Sequence, residues 1–168
     1  MKFREILYAP WRIKYIKGKK STRCTFCDIY TKRAADIKNN VVYRGSHSFI
    51  LLNRYPYNSG HLLVVPKRHI DDYSELKLAE LEEIFLILQD SIKALKSIMS
   101  PTGFNIGLNQ SSAAGAGISE HLHFHIVPRW VGDSNFMSSV ANCKVVSQDL
   151  IQFSSELRKY FSKIKEQG

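Results

Sequence analysis

Three histidines spaced two residues apart, His121, His123 and His125, are the residues of this chain best suited to chemistry. The positions between and after them hold the apolar residues Leu122, Phe124 and Ile126. This alternation predicts a β-strand over 121–128 that ends near Pro128, with imidazoles on one face and apolar side chains on the other. A neutral imidazole can attack phosphorus to form a covalent nucleotidyl-histidine, while a second imidazole stabilises the charge that develops on the phosphate.

A loop of small residues, 110–120, leads directly into these histidines. Its glycines let backbone N–H groups approach phosphate oxygens closely, so the loop is a candidate anion cradle. An ordinary hairpin loop with no ligand has the same composition, and three histidines can also lie on an exposed edge strand by chance. Both alternatives stay open at this point.

Cys24 and Cys27 form a C-x-x-C pair, which is typical of a redox pair, half of a zinc site, or a chance spacing. Structural zinc takes four nitrogen or sulfur ligands. Two histidines would therefore complete the site, and the candidates are His47, His61, His69 and the three histidines at 121–125. Cys143 lies far from the pair, and structural disulfides are not expected in a reducing compartment.

The composition favours a single soluble domain that acts on anionic partners. The chain has 168 residues, 44% of them hydrophobic, and a net charge of +9. No segment approaches the roughly 20 apolar residues of a membrane helix, and no apolar signal region follows Met1, so we expect a cytoplasmic protein without a membrane partner. The charge suits nucleotides or phosphorylated metabolites. No nucleic-acid motif accompanies it, so nucleic acid is the least supported partner.

The remaining sequence predicts an α+β fold that positions these side chains. Short apolar runs predict four further strands, over 41–44, 48–52, 61–66 and 104–109. A long helix is predicted from Ser74 to Pro101, and a final amphipathic helix over about 148–165. The long helix carries one apolar stripe that should pack on the sheet, formed by Leu81, Ile84, Phe85, Leu88, Ile92, Leu95 and Met99.

These motifs resemble those of the histidine triad (HIT) superfamily of nucleotide hydrolases and transferases. The resemblance rests on H-x-H-x-H at 121–125, on Asn-Arg-Tyr-Pro at 53–56 and on the run from Gly60 to His69, and covers most of 24–130. Tyr-Ala-Pro-Trp-Arg at 8–12, the run 103–107, Pro-Arg-Trp at 128–130 and the run 132–137 are similar to the branch that contains diadenosine tetraphosphate phosphorylases.

The resemblance implies one domain over 1–168, with an N-terminal arm (1–23), a core (24–130) and a C-terminal extension (131–168). It implies an antiparallel sheet of about five strands, flanking helices and a homodimer. His123 would be the nucleophile and His125 would contact the scissile phosphate. The implied nucleotide and phosphate contacts are Leu51, Asn53, Asn109, Gly115, Gly117 and Ser119. The implied zinc ligands are Cys24, Cys27, His69 and His121, with no organic cofactor.

The chain departs from the family pattern in its loop, which is about one residue longer between Asn109 and the histidines. Phosphorylases can carry a serine where Gly117 stands, so the contact to inorganic phosphate would fall to Ser111, Ser112 or Ser119. Phosphorolysis of diadenosine tetraphosphate to ATP and ADP is the first hypothesis. Hydrolysis of dinucleoside polyphosphates, or cleavage of nucleoside phosphoramidates, is the second. A non-catalytic, zinc-stabilised nucleotide-binding module is the third.

Overall fold

The computed structural model describes residues 23–133 and 149–167. The motif at 8–12, most of the run 132–137 and Cys143 lie outside the described residues. The strands are β1 (Val41–Arg44), β2 (Ser48–Leu52), β3 (Leu62–Pro66), β4 (Gly103–Leu108) and β5 (Phe124–Arg129), and the α-helices are α1 (Thr25–Thr31), α2 (Leu78–Met99) and α3 (Leu150–Gln167). All five strands form one antiparallel sheet in the order β1-β2-β3-β5-β4. The predicted α+β fold is therefore confirmed.

Strict alternation of side chains along β2, β3 and β5 gives the sheet two different faces. One face carries the larger core, where Ile50, Val64 and Ile126 pack under α2 and α3. The opposite face carries a smaller apolar cluster around Phe26 and Leu63. The larger core also takes Leu122 and Phe124, as the alternation predicted. The imidazoles of the three histidines are consequently directed to the smaller cluster.

The predicted start of the histidine strand is wrong by three residues, since β5 begins at Phe124 and not at His121. The last paired residues of the β3–β5 ladder are Val64 and Phe124. Beyond them Pro66 has no N–H to donate, and the N–H of Leu122 instead binds the carbonyl of Ile70 at 2.7 Å. His121 and His123 therefore lie in an extended segment just before the strand.

The long helix also begins later than predicted, at Leu78 rather than Ser74. A 3-10 turn at Tyr73–Glu75 precedes it, in which Asp72 accepts hydrogen bonds from Ser74. The Glu80 carboxylate then accepts from the N–H of Lys77 at 2.9 Å and stabilises the first turn of α2. Phe85 was wrongly included in the buried stripe, because its side chain is 57% exposed while Ile84 and Leu88 are buried.

Gly60 and Asn58 lie just before β3 and contact residues elsewhere in the fold. Gly60 has φ of +74°, and a Cβ at this position would lie 2.6 Å from the Sδ of Met99. Strand β5 ends at Arg129, in agreement with the predicted strand end near Pro128. The side-chain amide of Asn58, four residues before β3 begins, donates to the carbonyl of Pro128 at 2.9 Å. These contacts fix the backbone that leads into His61.

Strand β4 forms one edge of the sheet, and β5 is its only strand partner within residues 23–133 and 149–167. Most of its residues are exposed or half-buried, and Ile106 is 47% exposed. Within the described ranges, no helix combines the length and the apolarity that a membrane span needs.

Candidate active site and metal cluster

A cavity of about 900 Å³ opens on the sheet face that carries the histidines. Helix α1 forms one wall, β2 and β3 form the floor, and the first residues of α3 lie at the rim. The lining includes the apolar side chains Phe26, Ile29, Leu51, Leu63, Ile118 and Leu150, the cations Lys32, Lys38 and Arg54, and both His123 and His125. An apolar chamber with imidazoles and cations suits a ligand that joins an apolar ring to phosphate.

His123 is buried, with 5% of its surface exposed, and its Nδ1 lies 2.9 Å from the backbone carbonyl of His121. A carbonyl oxygen only accepts hydrogen bonds, so Nδ1 of His123 must carry the proton. The Nε2 atom of the neutral ring is then unprotonated and has a lone pair available for attack. Burial lowers the pKa of His123 below its ordinary value, which keeps the ring neutral near pH 7.

In His125 the other ring nitrogen carries the proton, because His125 accepts a hydrogen bond from His61. The backbone N–H of Tyr57 and the side-chain amide of Asn53 both donate to Nδ1 of His61, at 3.1 and 3.2 Å. The proton of neutral His61 must therefore be on Nε2, which lies 2.9 Å from Nδ1 of His125. Because Nδ1 of His125 accepts this proton, its own proton lies on Nε2. His123 thus offers a lone pair where His125 offers an N–H.

His61 is fully buried, and this burial disfavours the charged form of its imidazole. Burial, followed by the charges of His125 and His123, lowers the pKa of His61 to about 3. The ring consequently stays neutral over the whole physiological range. Tyr57 packs on the rings of both His61 and His125, with centroids 4.8 and 5.8 Å apart.

The predicted nucleotide contacts separate into two groups in the structure. Leu51, Asn53 and Gly117 line the cavity, as do the two catalytic candidates. Three other predicted contacts, Asn109, Gly115 and Ser119, are absent from the described lining, and so are Ser111 and Ser112, the serines considered as substitutes at the phosphate contact. Asn53 has a second role that the sequence did not predict, because its amide donates to His61 while its Oδ1 accepts from the N–H of Tyr55.

Cys24, Cys27, His69 and His121 come together as a group that could hold a metal ion. Their four donor atoms all lie within 4.8 Å of one another. Nδ1 of His121 is 3.3 Å from the Sγ of Cys24 and 3.6 Å from that of Cys27, and Nδ1 of His69 is 3.3 Å from the Sγ of Cys27. The pair from the N-terminal helix thus meets two histidines that are far away in sequence.

The chemistry of these donors fits a tetrahedral site. Bonds of about 2.3 Å to sulfur and about 2.0 Å to nitrogen would place those atoms about 3.5 Å apart, close to the spacing of this group. Nε2 of His121 lies 2.9 Å from the carbonyl of Pro66, so it carries the proton and leaves Nδ1 free to bind a metal. Burial and the neighbouring Cys24 raise the pKa of Cys27 to about 11, so a bound cation would have to displace its proton.

Sequence reasoning treated His61 only as a possible metal ligand and missed its contact with His125. The signal was available, because extending the alternation of β3 back by one residue places His61 on the same face as Leu63. Leu63 is the register partner of His125. Phe26 and Tyr57 had no comparable signal, since their contacts join segments far apart in the chain.

Comparisons with known proteins give a consistent picture. The HIT domain family matches residues 34–131. The chain is 37% identical over 149 residues to an AP-4-A phosphorylase of Mycobacterium tuberculosis, an alignment that covers 84% of this chain and 76% of that protein.

Two solved structures share the fold. The crystal structure of a zinc-bound histidine triad family protein from Mycobacterium smegmatis superposes with a TM-score of 0.69 at 25% identity, covering 89% of this chain and all of that one. That of a hypothetical histidine triad nucleotide-binding protein from Sulfolobus tokodaii superposes with a TM-score of 0.67 at 26% identity, covering 84% of this chain and 94% of that one.

The low pKa of His61 predicts a specific loss of stability in acid. The unfolded chain takes up this proton below about pH 6.5, whereas the folded chain does so only near pH 3, so unfolding becomes easier as pH falls between these values. One such group adds a slope of up to about 1.4 kcal/mol per pH unit. Urea unfolding between pH 7.5 and 4.5 should therefore give a shallower slope for His61→Asn than for the parent protein. The exposed His47 provides the control, because His47→Asn should leave the slope unchanged; equal slopes for all three proteins would contradict the assignment.

Proposed function

The chain belongs to the HIT domain family, and we propose that it transfers a nucleotidyl group from a dinucleoside polyphosphate through a covalent intermediate on His123. The observation that carries the proposal is the opposite protonation of two neighbouring imidazoles. His123 offers a lone pair and His125 offers an N–H, with ring centroids 4.9 Å apart in the same cavity. Attack on phosphorus needs both, because charge builds on the phosphate oxygens as the new bond forms.

The first step is attack by Nε2 of His123 on the α-phosphorus of diadenosine tetraphosphate. A P–N bond forms, the bond from that phosphorus to the bridging oxygen breaks, and ATP leaves. His125 donates its N–H to the phosphate as charge develops. The proton on Nδ1 of His123 stays hydrogen-bonded to the carbonyl of His121, which supports the positive charge on the imidazole of the adduct.

In the second step an acceptor attacks the same phosphorus and releases His123. Inorganic phosphate as the acceptor yields ADP, and water yields AMP. We propose phosphate, in line with the activity named for the relative from M. tuberculosis. The cations Lys32, Lys38 and Arg54 on the cavity wall provide positive charge for a second anion near the adduct.

The rest of the cavity suits the nucleoside. Its volume of about 900 Å³ lies near the upper end of ligand pockets, which run from roughly 300 to 1,000 Å³. We propose that Leu51 contacts the base and that Asn53 binds the ribose, both from the cavity wall. We propose that Gly117, which also lines the cavity, contacts the phosphate chain. For Asn109, Gly115 and Ser119 a role would require the loop 109–120 to move toward the cavity.

We propose that the metal of the Cys24, Cys27, His69 and His121 group is zinc. Two thiolates and two imidazoles in a tetrahedral arrangement are the ligands that zinc prefers in structural sites. The zinc-bound relative from M. smegmatis is similar to this chain over most of its length. Bound zinc would hold α1 and His121 in place.

Product analysis tests the proposed reaction. Incubation of the protein with diadenosine tetraphosphate and inorganic phosphate should give equal amounts of ATP and ADP, separated by ion-exchange chromatography. Without phosphate, turnover should slow strongly. Steady production of ATP and AMP in either condition would instead identify a hydrolase, and the phosphorolysis proposal would fail.

The nucleophile is tested by a matched pair of variants. His123→Ala should lower turnover by at least roughly 1,000-fold, because no other described side chain offers an unprotonated imidazole nitrogen to the cavity. His47→Ala, at an exposed histidine outside the cavity, should retain parent turnover. Mass spectrometry of the quenched parent protein should detect an added AMP that His123→Ala lacks. A parent protein that binds AMP but forms no adduct and no product would be a nucleotide-binding module.

Metal analysis tests the zinc assignment. The protein purified without chelators should contain about one equivalent of zinc by elemental analysis. Cys24→Ser should lose most of this metal, since it removes one of four ligands. Cys143→Ser makes the same change at the third cysteine and should keep the full amount. Native protein free of zinc would refute the assignment, and so would full zinc in Cys24→Ser.

We further propose that the protein forms a homodimer through the open edge at β4. Within the part of the chain that the structure describes, the outer side of β4 pairs with no other strand, and Ile106 on it is 47% exposed. Sedimentation velocity should show a dimer for the parent protein and a monomer for Ile106→Glu. Ile37→Glu, at an apolar residue that is 70% exposed before β1, is the control and should stay dimeric. A monomeric parent protein would exclude the assembly.

A further inference from the structure

Helix α1 belongs to the metal cluster and to the cavity at the same time. Cys24 and Cys27, at its start, supply two donors of the metal group. Between and after them, four residues of the same helix line the cavity, namely Thr25, Phe26, Asp28 and Ile29. One face of this short helix is therefore committed to the metal, and another to whatever fills the cavity.

Phe26 is the side chain that joins the two sites. It is 2% exposed, and its ring packs on the imidazole of His121 with centroids 5.5 Å apart and on that of His123 with centroids 5.1 Å apart. One aromatic ring thus contacts a donor of the metal group and the proposed nucleophile. The backbone provides a parallel link, because the carbonyl of His121 fixes the proton of His123.

Helix α1 cannot hold this position alone. It has seven residues, and isolated helices shorter than about 12 residues are marginal in water. Arg44 anchors its final turn by donating to the carbonyls of Ile29 and Tyr30, both at 3.1 Å. At its first turn Cys24 provides no side-chain cap. The first turn is therefore held by the contacts of the two cysteines and by the burial of Phe26.

We propose that Phe26 is a positioning residue that couples metal occupancy to nucleotide binding. A bound metal fixes the first turn of α1. The fixed turn holds the Phe26 ring against His123, so that the apolar wall of the cavity is complete. By linkage, a nucleotide that packs on this wall must tighten the metal by the same factor. Metal loss would release the wall and weaken nucleotide binding. The inference depends on the nucleotide pocket proposed above.

The coupling is measured directly as a change in metal affinity. Zinc affinity is determined by competition with a chromophoric chelator at fixed pH, with and without saturating AMP. AMP should tighten zinc by at least about 5-fold, the lower end of typical coupling between sites. Calorimetry should give the same factor for the effect of zinc on AMP affinity. AMP serves as the probe because it is not turned over.

Two matched variants locate the coupling in the Phe26 ring. Phe26→Leu keeps an apolar side chain but removes the flat surface that contacts both imidazoles, so the factor should fall below about 2-fold. Phe49→Leu makes the same change at a fully buried phenylalanine of the same apolar cluster, which stacks on Tyr30 instead of a histidine. This control should keep the parent factor. A role of Phe26 in stability alone would reduce the factor in both variants or in neither.

The outcomes separate this inference from the proposed function. Parent protein that binds AMP with equal affinity in the zinc-loaded and zinc-free states would overturn the coupling while leaving the pocket intact. An unchanged factor in Phe26→Leu would assign the coupling to the backbone link and overturn the role of Phe26. Parent protein with no measurable affinity for AMP in either state would overturn both proposals.

Discussion

The hydrogen bond from the backbone N–H of Tyr57 to Nδ1 of His61 determines the protonation of His61 and, through it, that of His125. A backbone N–H can only donate, so the proton of neutral His61 must lie on Nε2. That proton is donated to Nδ1 of His125, whose own proton therefore lies on Nε2. The carbonyl of His121 applies the reverse constraint to His123. Two imidazoles on one strand segment thus acquire complementary roles from two backbone groups, one a donor and one an acceptor.

Burial keeps these imidazoles neutral, and packing on the sheet provides the burial. The apolar side chains that alternate with the histidines, such as Phe124 and Ile126, pack under α2 in the larger core. This packing holds the segment 121–126 against the larger core on one face of the sheet, while Phe26 covers the opposite face. Charged forms of the rings are disfavoured in such surroundings, as the lowered pKa values of His61 and His123 indicate. The neutral rings then keep the proton positions that the backbone assigns to them.

The sequence predicted the parts of the site that follow from local periodicity. Alternation at 121–126 was enough to place the histidines on the face opposite Phe124 and Ile126, and alternation along 61–66 would have been enough to add His61 to them. It could not reveal that Pro66 ends the ladder before His123, because that depends on a partner 57 residues away. The true start of α2 at Leu78 was hidden because Lys77 is not a typical capping residue; the stabilising group is Glu80. The choice of His69 and His121 from several histidines, and the contacts of Phe26, depend on tertiary packing that spacing alone does not encode.

The left-handed backbone at Gly60 restricts how this chain can evolve. Any side chain there would meet Met99 and Pro128, and the backbone angle itself favours glycine. The residue directly precedes His61, so an accommodating shift would rotate that imidazole away from its partners. In a library of random variants selected for function, position 60 should therefore remain glycine.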